Sequence, residues 1–303
     1  MAQRNKKKLI IGAKNQTLTI AQANFVRDML SNYYPEYEIS IQSAPFSNDR
    51  IFNAPRFNPK PDLNSPDELE IALRSHTIDF AVRNLKNLPL QLPSDMVLAA
   101  YLPREDSRDA LVGSRLKHIL PSAVIGFENV LCAEIFKNMR PDIHIVIAIR
   151  EISAIFERFR SGEFNAFVVS AADLKWMNLE REIAEYLDPR VHIPPAGQGV
   201  IVLETAASAK KIQNIVSKIH HEPTYYCAMA EIAFVRKIWQ KYTLPASAHA
   251  EIIDSELHLS AVLAPEIGHP LYGSSFGKPE NAERIGEELA LIMVNNENFA
   301  AES

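Results

Sequence analysis

The feature that most limits how this chain can fold is an element order that occurs twice. A short apolar strand is followed by an amphipathic helix, a second strand and a polar break. In the first copy, Leu9–Ala13 reads as a strand, and Ile20, Phe25, Val26, Met29 and Leu30 then recur at helical spacing. Glu38–Gln42 alternates as a strand with Ile39 and Ile41 on one face. Residues 43–64, rich in Asn, Pro and Ser, read as a loop. Ser65, Pro66, Asp67 and Glu68 then open a helix, with Ser capping, Pro at the first helical position and acids in the first turn. Ile78–Val82 is the next strand, with breaks at Asn84 and Pro89.

The second copy runs from the strand Ala123–Phe127 through a helix bearing Cys132, Ile135 and Phe136, to the strand His144–Ile149. A helix with Ile152, Ile155, Phe156 and Phe159 follows, closed by Ser161 and Gly162. The strand Ala166–Val169 then leads to a turn at Leu174 and Lys175. The segments 78–88 and 165–175 end corresponding units, a repeat that is weak in residue identity and consistent in order. Such alternation predicts parallel sheets with helices on both faces. Two such domains in one chain usually enclose a cleft, with ligands at the strand C-terminal ends.

The remaining segments fit that plan. Arg104–Val112 lies between the halves, and Ile193–Glu204 carries a central glycine turn that can return the chain to the first half. After His220 and His221 come a helix with Met229, Ile232, Ala233 and Val235, two alternating strands (Ala250–Ile253 and Glu256–Val262), and a helix from about Asn281 to Val294. The expected division is residues 1–102 with 200–218 as the first α/β domain, 103–199 as the second, and 219–303 as a small α+β domain.

Composition excludes several function classes. A net charge of −5 gives no general pull toward nucleic acid. The apolar run after Lys6, Lys7 and Lys8 stops at Lys14, too short for a signal peptide or a membrane span, so a cytoplasmic protein without a membrane partner is expected. Only 10 glycines occur, and neither GxGxxG nor GxxxxGK[ST] is present, so a nucleotide phosphate cradle has no support. The two cysteines, Cys132 and Cys227, are far apart and lie in apolar surroundings, which argues against a disulfide framework or a zinc site. His220 and His221 are adjacent, so they do not face one ligand on a helix, and no metal is expected.

Over nearly the whole length the chain resembles the porphobilinogen deaminase (hydroxymethylbilane synthase) family. Residues 104–112, REDSRDALV, are similar to the family's REDPRDAF motif with Ser107 in place of Pro. Residues 193–204, with Gly197, Gln198 and Gly199 intact, are similar to LPAxGQGAxxIE, and residues 74–93 resemble the stretch holding HSxKDxP. The resemblance implies two type II periplasmic-binding-protein-like α/β domains joined by hinges, plus a small C-terminal α+β domain, in agreement with the element order. It also implies a monomer that condenses four porphobilinogen molecules into hydroxymethylbilane, releasing ammonia. The family builds the chain on a dipyrromethane cofactor held as a thioether.

Against that pattern several positions are replaced. Loss of ammonia leaves a cationic azafulvene, which a nearby carboxylate must stabilise. The family places that Asp where Asn87 stands here. A unit charge pair at 4 Å is worth about 4 kcal/mol at an effective dielectric of 20, so its loss implies a rate lower by several orders of magnitude. The cofactor cysteine position holds Tyr242, so the resemblance implies that dipyrromethane is absent. Cys227 reads as a helix-face core residue. Arginines that would grip acetate and propionate groups are replaced by Leu131, Cys132, Ile149 and Ile155, and Glu151 adds a negative charge. An Arg near the N-terminus becomes Lys14, and a Gly-Lys-Gly loop becomes residues 58–64. Lys86 matches a cofactor-contacting lysine, and Arg104, Gln198 and Gly199 are kept as substrate-binding candidates. A structural reading stands beside the ligand reading, with REDSRD as a hinge salt-bridge cluster and GQG as a tight crossover.

Scaffold motifs survive while the carboxylate, the thiol and the arginines change together, a selection that random divergence of an active enzyme does not predict. Three readings follow: a family member with weak or lost catalysis, an active deaminase with an altered site, and a non-catalytic two-domain binder of a pyrrole or a less anionic small molecule.

Overall fold

The structure, a computed structural model, describes residues 7–44, 67–148, 151–264 and 269–295. The chain forms β1 (Lys7–Lys14), α1 (Thr17–Tyr33), β2 (Tyr37–Ala44), α2 (Glu68–Arg74), β3 (Phe80–Asn84) and β4 (Met96–Tyr101), then β5 (Asp109–Val112), β6 (Val124–Phe127), α3 (Val130–Met139), β7 (His144–Ile147), α4 (Ile152–Arg160), β8 (Ala166–Ser170), α5 (Ala171–Trp176) and β9 (Ile183–Tyr186). It continues through β10 (Ile201–Ala206), α6 (Lys210–Val216), α7 (Glu222–Trp239), β11 (Ala246–Ile253), β12 (Glu256–Leu263), β13 (Leu271–Gly277) and α8 (Ala282–Val294). Packing separates two units. Among the described residues, the first holds 7–44, 67–104 and 200–224, and the second holds 105–199 and 225–295.

In the first unit the strand order is β2-β1-β3-β10-β4. β1 runs parallel to β2, from Lys7 opposite Tyr37 to Lys14 opposite Ala44, and parallel to β3 at Ile11 and Phe80. Phe80, Ala81 and Val82 are all buried, the continuous apolar run of a strand covered on both faces. The α1 residues Ala23, Val26 and Leu30 form one buried stripe. Helix α2 begins at Glu68 with Asp67 as its N-cap. Ser65 and Pro66, expected to cap and open it, lie outside the described residues.

The second unit repeats the order as β7-β6-β8-β5-β9. Phe127, Phe136 and Phe167 are buried at its centre, in clusters with α3 on one side and α4 on the other. It also holds the antiparallel sheet β11-β12-β13. Segment 219–303, expected as a third domain, contributes Val262 and Ala264 to a core cluster with Leu131, Ile135 and Ile193.

The expected α/β architecture with a small C-terminal α+β element is present, with three corrections. Both five-stranded sheets are mixed, because β10 and β5 run antiparallel to their neighbours. Each is the first strand laid down after the chain passes from one unit to the other. The turn expected at Leu174 and Lys175 is part of α5, a short helix capped by the Ser170 hydroxyl accepting from the Asp173 N–H at 3.4 Å. Strand β13 was not anticipated; its Gly273, Ser274, Ser275 and Gly277 have poor strand propensity, and α8 packing supplies what propensity lacks. Among the described residues, no helix is long and apolar enough to cross a membrane.

Candidate functional site

In the first unit, the candidate residues gather where β1 and β3 end. Lys14 is the last residue of β1, and its carbonyl accepts the Thr19 hydroxyl at 2.6 Å, tying the strand end to α1. Its ammonium lies 3.3 Å from Asp67 Oδ2. The other oxygen, Asp67 Oδ1, accepts from Arg83 Nη1 at 2.7 Å and from the Leu69 N–H at 2.9 Å. Arg83 Nε also lies 3.4 Å from Glu204 Oε2 on β10. Asp67, Glu70, Arg83 and Glu204 are all buried. Burial works to raise the Asp67 pKa, but the charge and hydrogen bond of Arg83 together with Lys14 overcome it and hold the carboxyl at about 2. Burial pushes the Glu204 carboxyl up, offset in part by Arg83. Lys14, 24% exposed, is therefore ion-paired to Asp67.

One residue further along β3, the Asn84 and Gln22 side chains exchange hydrogen bonds of 2.9 and 3.1 Å. A 3₁₀ turn over Leu85–Asn87 follows, in which Leu85 is buried, Lys86 half-buried and Asn87 exposed. The Leu85 N–H donates to the Val200 carbonyl at 3.0 Å, which pins this turn to the start of β10. Arg104 ends the unit, and its backbone N–H donates to the Thr224 hydroxyl at 3.1 Å.

In the second unit, Glu105, Asp106 and Arg108 of the REDSRD segment join an ion-pair cluster. Lys175 Nζ lies 3.2 Å from Glu105 and 3.4 Å from Asp106, and Arg108 pairs with Asp106 at 2.7 Å while its guanidinium stacks on Tyr186 at 3.9 Å. Buried Gln198 donates through Nε2 to the Ser107 carbonyl at 2.8 Å and to Asp109 at 2.9 Å. The Gly197 N–H and the Ala250 N–H each donate to buried Glu231 at 2.7 Å. Gln198 thus ties its own segment to Ser107 and Asp109. Tyr242 follows α7, half-buried, with its N–H donating to the Ile238 carbonyl at 2.9 Å.

Among the described residues, the replaced arginine positions Leu131, Cys132 and Ile155 are buried. Leu131 is 5% exposed and Ile155 1%, each inside a packed cluster, while Ile149 and residues 58–64 lie outside the described residues. Sequence reasoning missed Asp67, Arg83, Glu204 and Glu231 as members of polar networks. An Asp directly before a helix and a Glu inside an apolar strand were the only signals.

A thioether-held dipyrromethane needs an accessible thiolate. Cys132 is 4% exposed and Cys227 6%, and burial together with Asp109 pushes the Cys132 thiol well up. The donor set does not fit that group.

The family profile described as porphobilinogen deaminase, dipyromethane cofactor binding domain, matches residues 9–214. Proteins named porphobilinogen deaminase from Chlorobium luteolum (28% identical over 293 residues, 94% of each chain) and from Nitrosomonas europaea (29% over 288 residues, 94% of each) are similar along almost their full length. Among solved structures, the ligand-binding component of an ABC-type import system from Staphylococcus aureus is loosely similar, at 12% identity and a TM-score of 0.42 over 78% of this chain and 80% of that one. With its family profile matched over more than half its length, the chain belongs to the porphobilinogen deaminase family.

Proposed function

We propose that this protein is a porphobilinogen deaminase-type member of tetrapyrrole biosynthesis in which condensation of porphobilinogen to hydroxymethylbilane is weak or lost. The observation that carries the reading is the state of the two positions that bear the family's chemistry. Asn87 supplies an amide where a cationic intermediate calls for a carboxylate, and Tyr242 stands where a thiol would hold the primer, while the chain's own thiols are buried. The ion pairing of Lys14 supports the same reading, since a cation already matched to Asp67 adds little to the grip on a polyanionic chain.

The test is intact mass spectrometry of protein purified from a host that makes its own porphobilinogen. The expected mass is that of the polypeptide alone, and time courses with porphobilinogen should yield no bilane above the uncatalysed background. A stable adduct of two pyrrole rings, on Tyr242 or elsewhere, together with steady bilane release, would reverse the proposal.

A further inference from the structure

We infer that Asp67 is a built-in occupant of a small-carboxylate site formed by Lys14 and Arg83, and that it keeps external carboxylates out of the first unit at this point. The inference deepens the function proposed above and rests on it only in naming the kind of ligand group that is refused.

The geometry is that of a bound carboxylate. The two Asp67 oxygens are divided between two cations, Oδ2 facing the Lys14 ammonium at 3.3 Å and Oδ1 taking the Arg83 Nη1 hydrogen bond at 2.7 Å. The cations come from β1 and β3, neighbours in the parallel part of the sheet, so the backbone sets their spacing rather than Asp67 itself. Arg83 is only 8% exposed, which makes this a constructed site rather than a surface pairing, and Lys14 is the more open of the two at 24%. Charge-assisted pairs of this kind are the geometry by which proteins hold free carboxylates.

The surrounding charges show what removing Asp67 would leave. Arg83 also faces Glu204 at 3.4 Å, but through Nε, a different edge of the guanidinium from the Nη1 that Asp67 takes. Arg74 is taken up by Asp95, with hydrogen bonds of 2.7 and 3.1 Å, and by Glu70 at 3.7 Å. Without Asp67, the Lys14 ammonium and one edge of the Arg83 guanidinium lose the carboxylate between them. The ligand that fits is a singly charged small carboxylate such as formate or acetate, the same chemistry as the side groups of an acid-bearing pyrrole.

Chemical rescue tests this. Asp67→Gly deletes the atoms of acetate, and Asp67→Ala deletes those of formate. Glycine is itself tolerated at an N-cap, which limits the cost of the deletion. Thermal unfolding is followed at constant ionic strength while chloride is exchanged for the matching anion, up to about 100 mM, well above the roughly 0.05–0.5 mM that three or four heavy atoms reach at their best. D67G should gain a few degrees of Tm in acetate, and D67A in formate, with a saturable dose dependence. The native protein and the isosteric Asp67→Asn should not respond, because their sites remain filled, and adding Lys14→Met to D67G should reduce the gain. Equal responses to chloride and carboxylate in both deletion variants, or a D67N response as large as that of D67G, would overturn the inference. If the deletion variants are recovered unfolded, the anions are supplied during refolding: recovery with acetate or formate but not chloride supports the inference, and failure with both overturns it. The intact mass of the native protein is read separately, so either idea can fail alone.

Discussion

A Cβ placed on Gly199 would stand 2.5 Å from the Glu105 carbonyl oxygen, while the Glu105 N–H donates to the Gly199 carbonyl at 2.9 Å. The two segments approach as closely as backbone allows, and Gly199 sits at φ +77°, where other side chains are strained. Gly199→Ala is therefore expected to destabilise the protein by about 2–4 kcal/mol through combined strain and overlap, read as a lower urea midpoint with an unchanged m-value.

Gln198 holds the same crossover by a different means. Its amide satisfies the Ser107 carbonyl and the buried Asp109 carboxyl together. Gln198→Ala should cost about 1–3 kcal/mol by stranding those acceptors. Gln198→Glu puts a second carboxylate against Asp109, so its penalty at pH 7 should exceed that of the alanine variant and should shrink on mild acidification. Denaturant titrations of both variants at pH 5 and pH 7 check this.

His192 sets a pH dependence. Burial holds its imidazole down at about 4 against an ordinary 6.5, with Asp188 pulling weakly the other way, and the ring packs 5.0 Å from Phe136. Between these values the unfolded chain binds a proton that the folded one refuses. Stability is therefore complete above pH 6.5 and falls as pH drops toward 4, by about 3 kcal/mol over the full interval. Replacing His192 with Leu should flatten urea midpoints across that range; an unchanged slope would assign the pH dependence to other groups.

The burial of both thiols is directly measurable. Native protein should show no fast phase with an aromatic disulfide reagent, and both cysteines should react once the chain is unfolded. Tyr242→Cys should add one fast-reacting thiol, because that position is half-buried on the turn after α7. A slow Y242C thiol would mean that this turn is closed to reagents.

The repeat of segments 78–88 and 165–175 was readable because each holds the strand that lies third in its sheet, β3 or β8, with its apolar residues in one run, followed by a helical turn. The return of the chain through Ile193–Glu204 was readable from a glycine turn between apolar ends, and it became β10. Strand direction was not readable, since alternation and apolar runs look the same in parallel and antiparallel neighbours. Strand β13 was hidden by glycine and serine, which the packing of α8 makes acceptable. Of the candidate site, the assignments at Lys14, Lys86, Asn87, Arg104, Gln198, Gly199 and Tyr242 came from the resemblance to the family's motifs. What Lys14 and Gln198 touch did not, because Asp67 and Asp109 carry no local mark of those pairings.

By itself, the sequence determined the two α/β repeats, the segment that reconnects them, and the residue types standing at the chemical positions. The repeats are properties of short windows, in which polarity recurs every two residues in a strand or every three to four in a helix, whereas the chemical positions were located by resemblance to family motifs. Tertiary structure alone decided that Leu131 and Ile155 are core, that Gln198 braces a crossover, and that Lys14 and Arg83 share one carboxylate. Those partners are brought within about 3 Å by sheet order and helix placement, and electrostatic coupling depends on that separation and on burial rather than on distance along the chain.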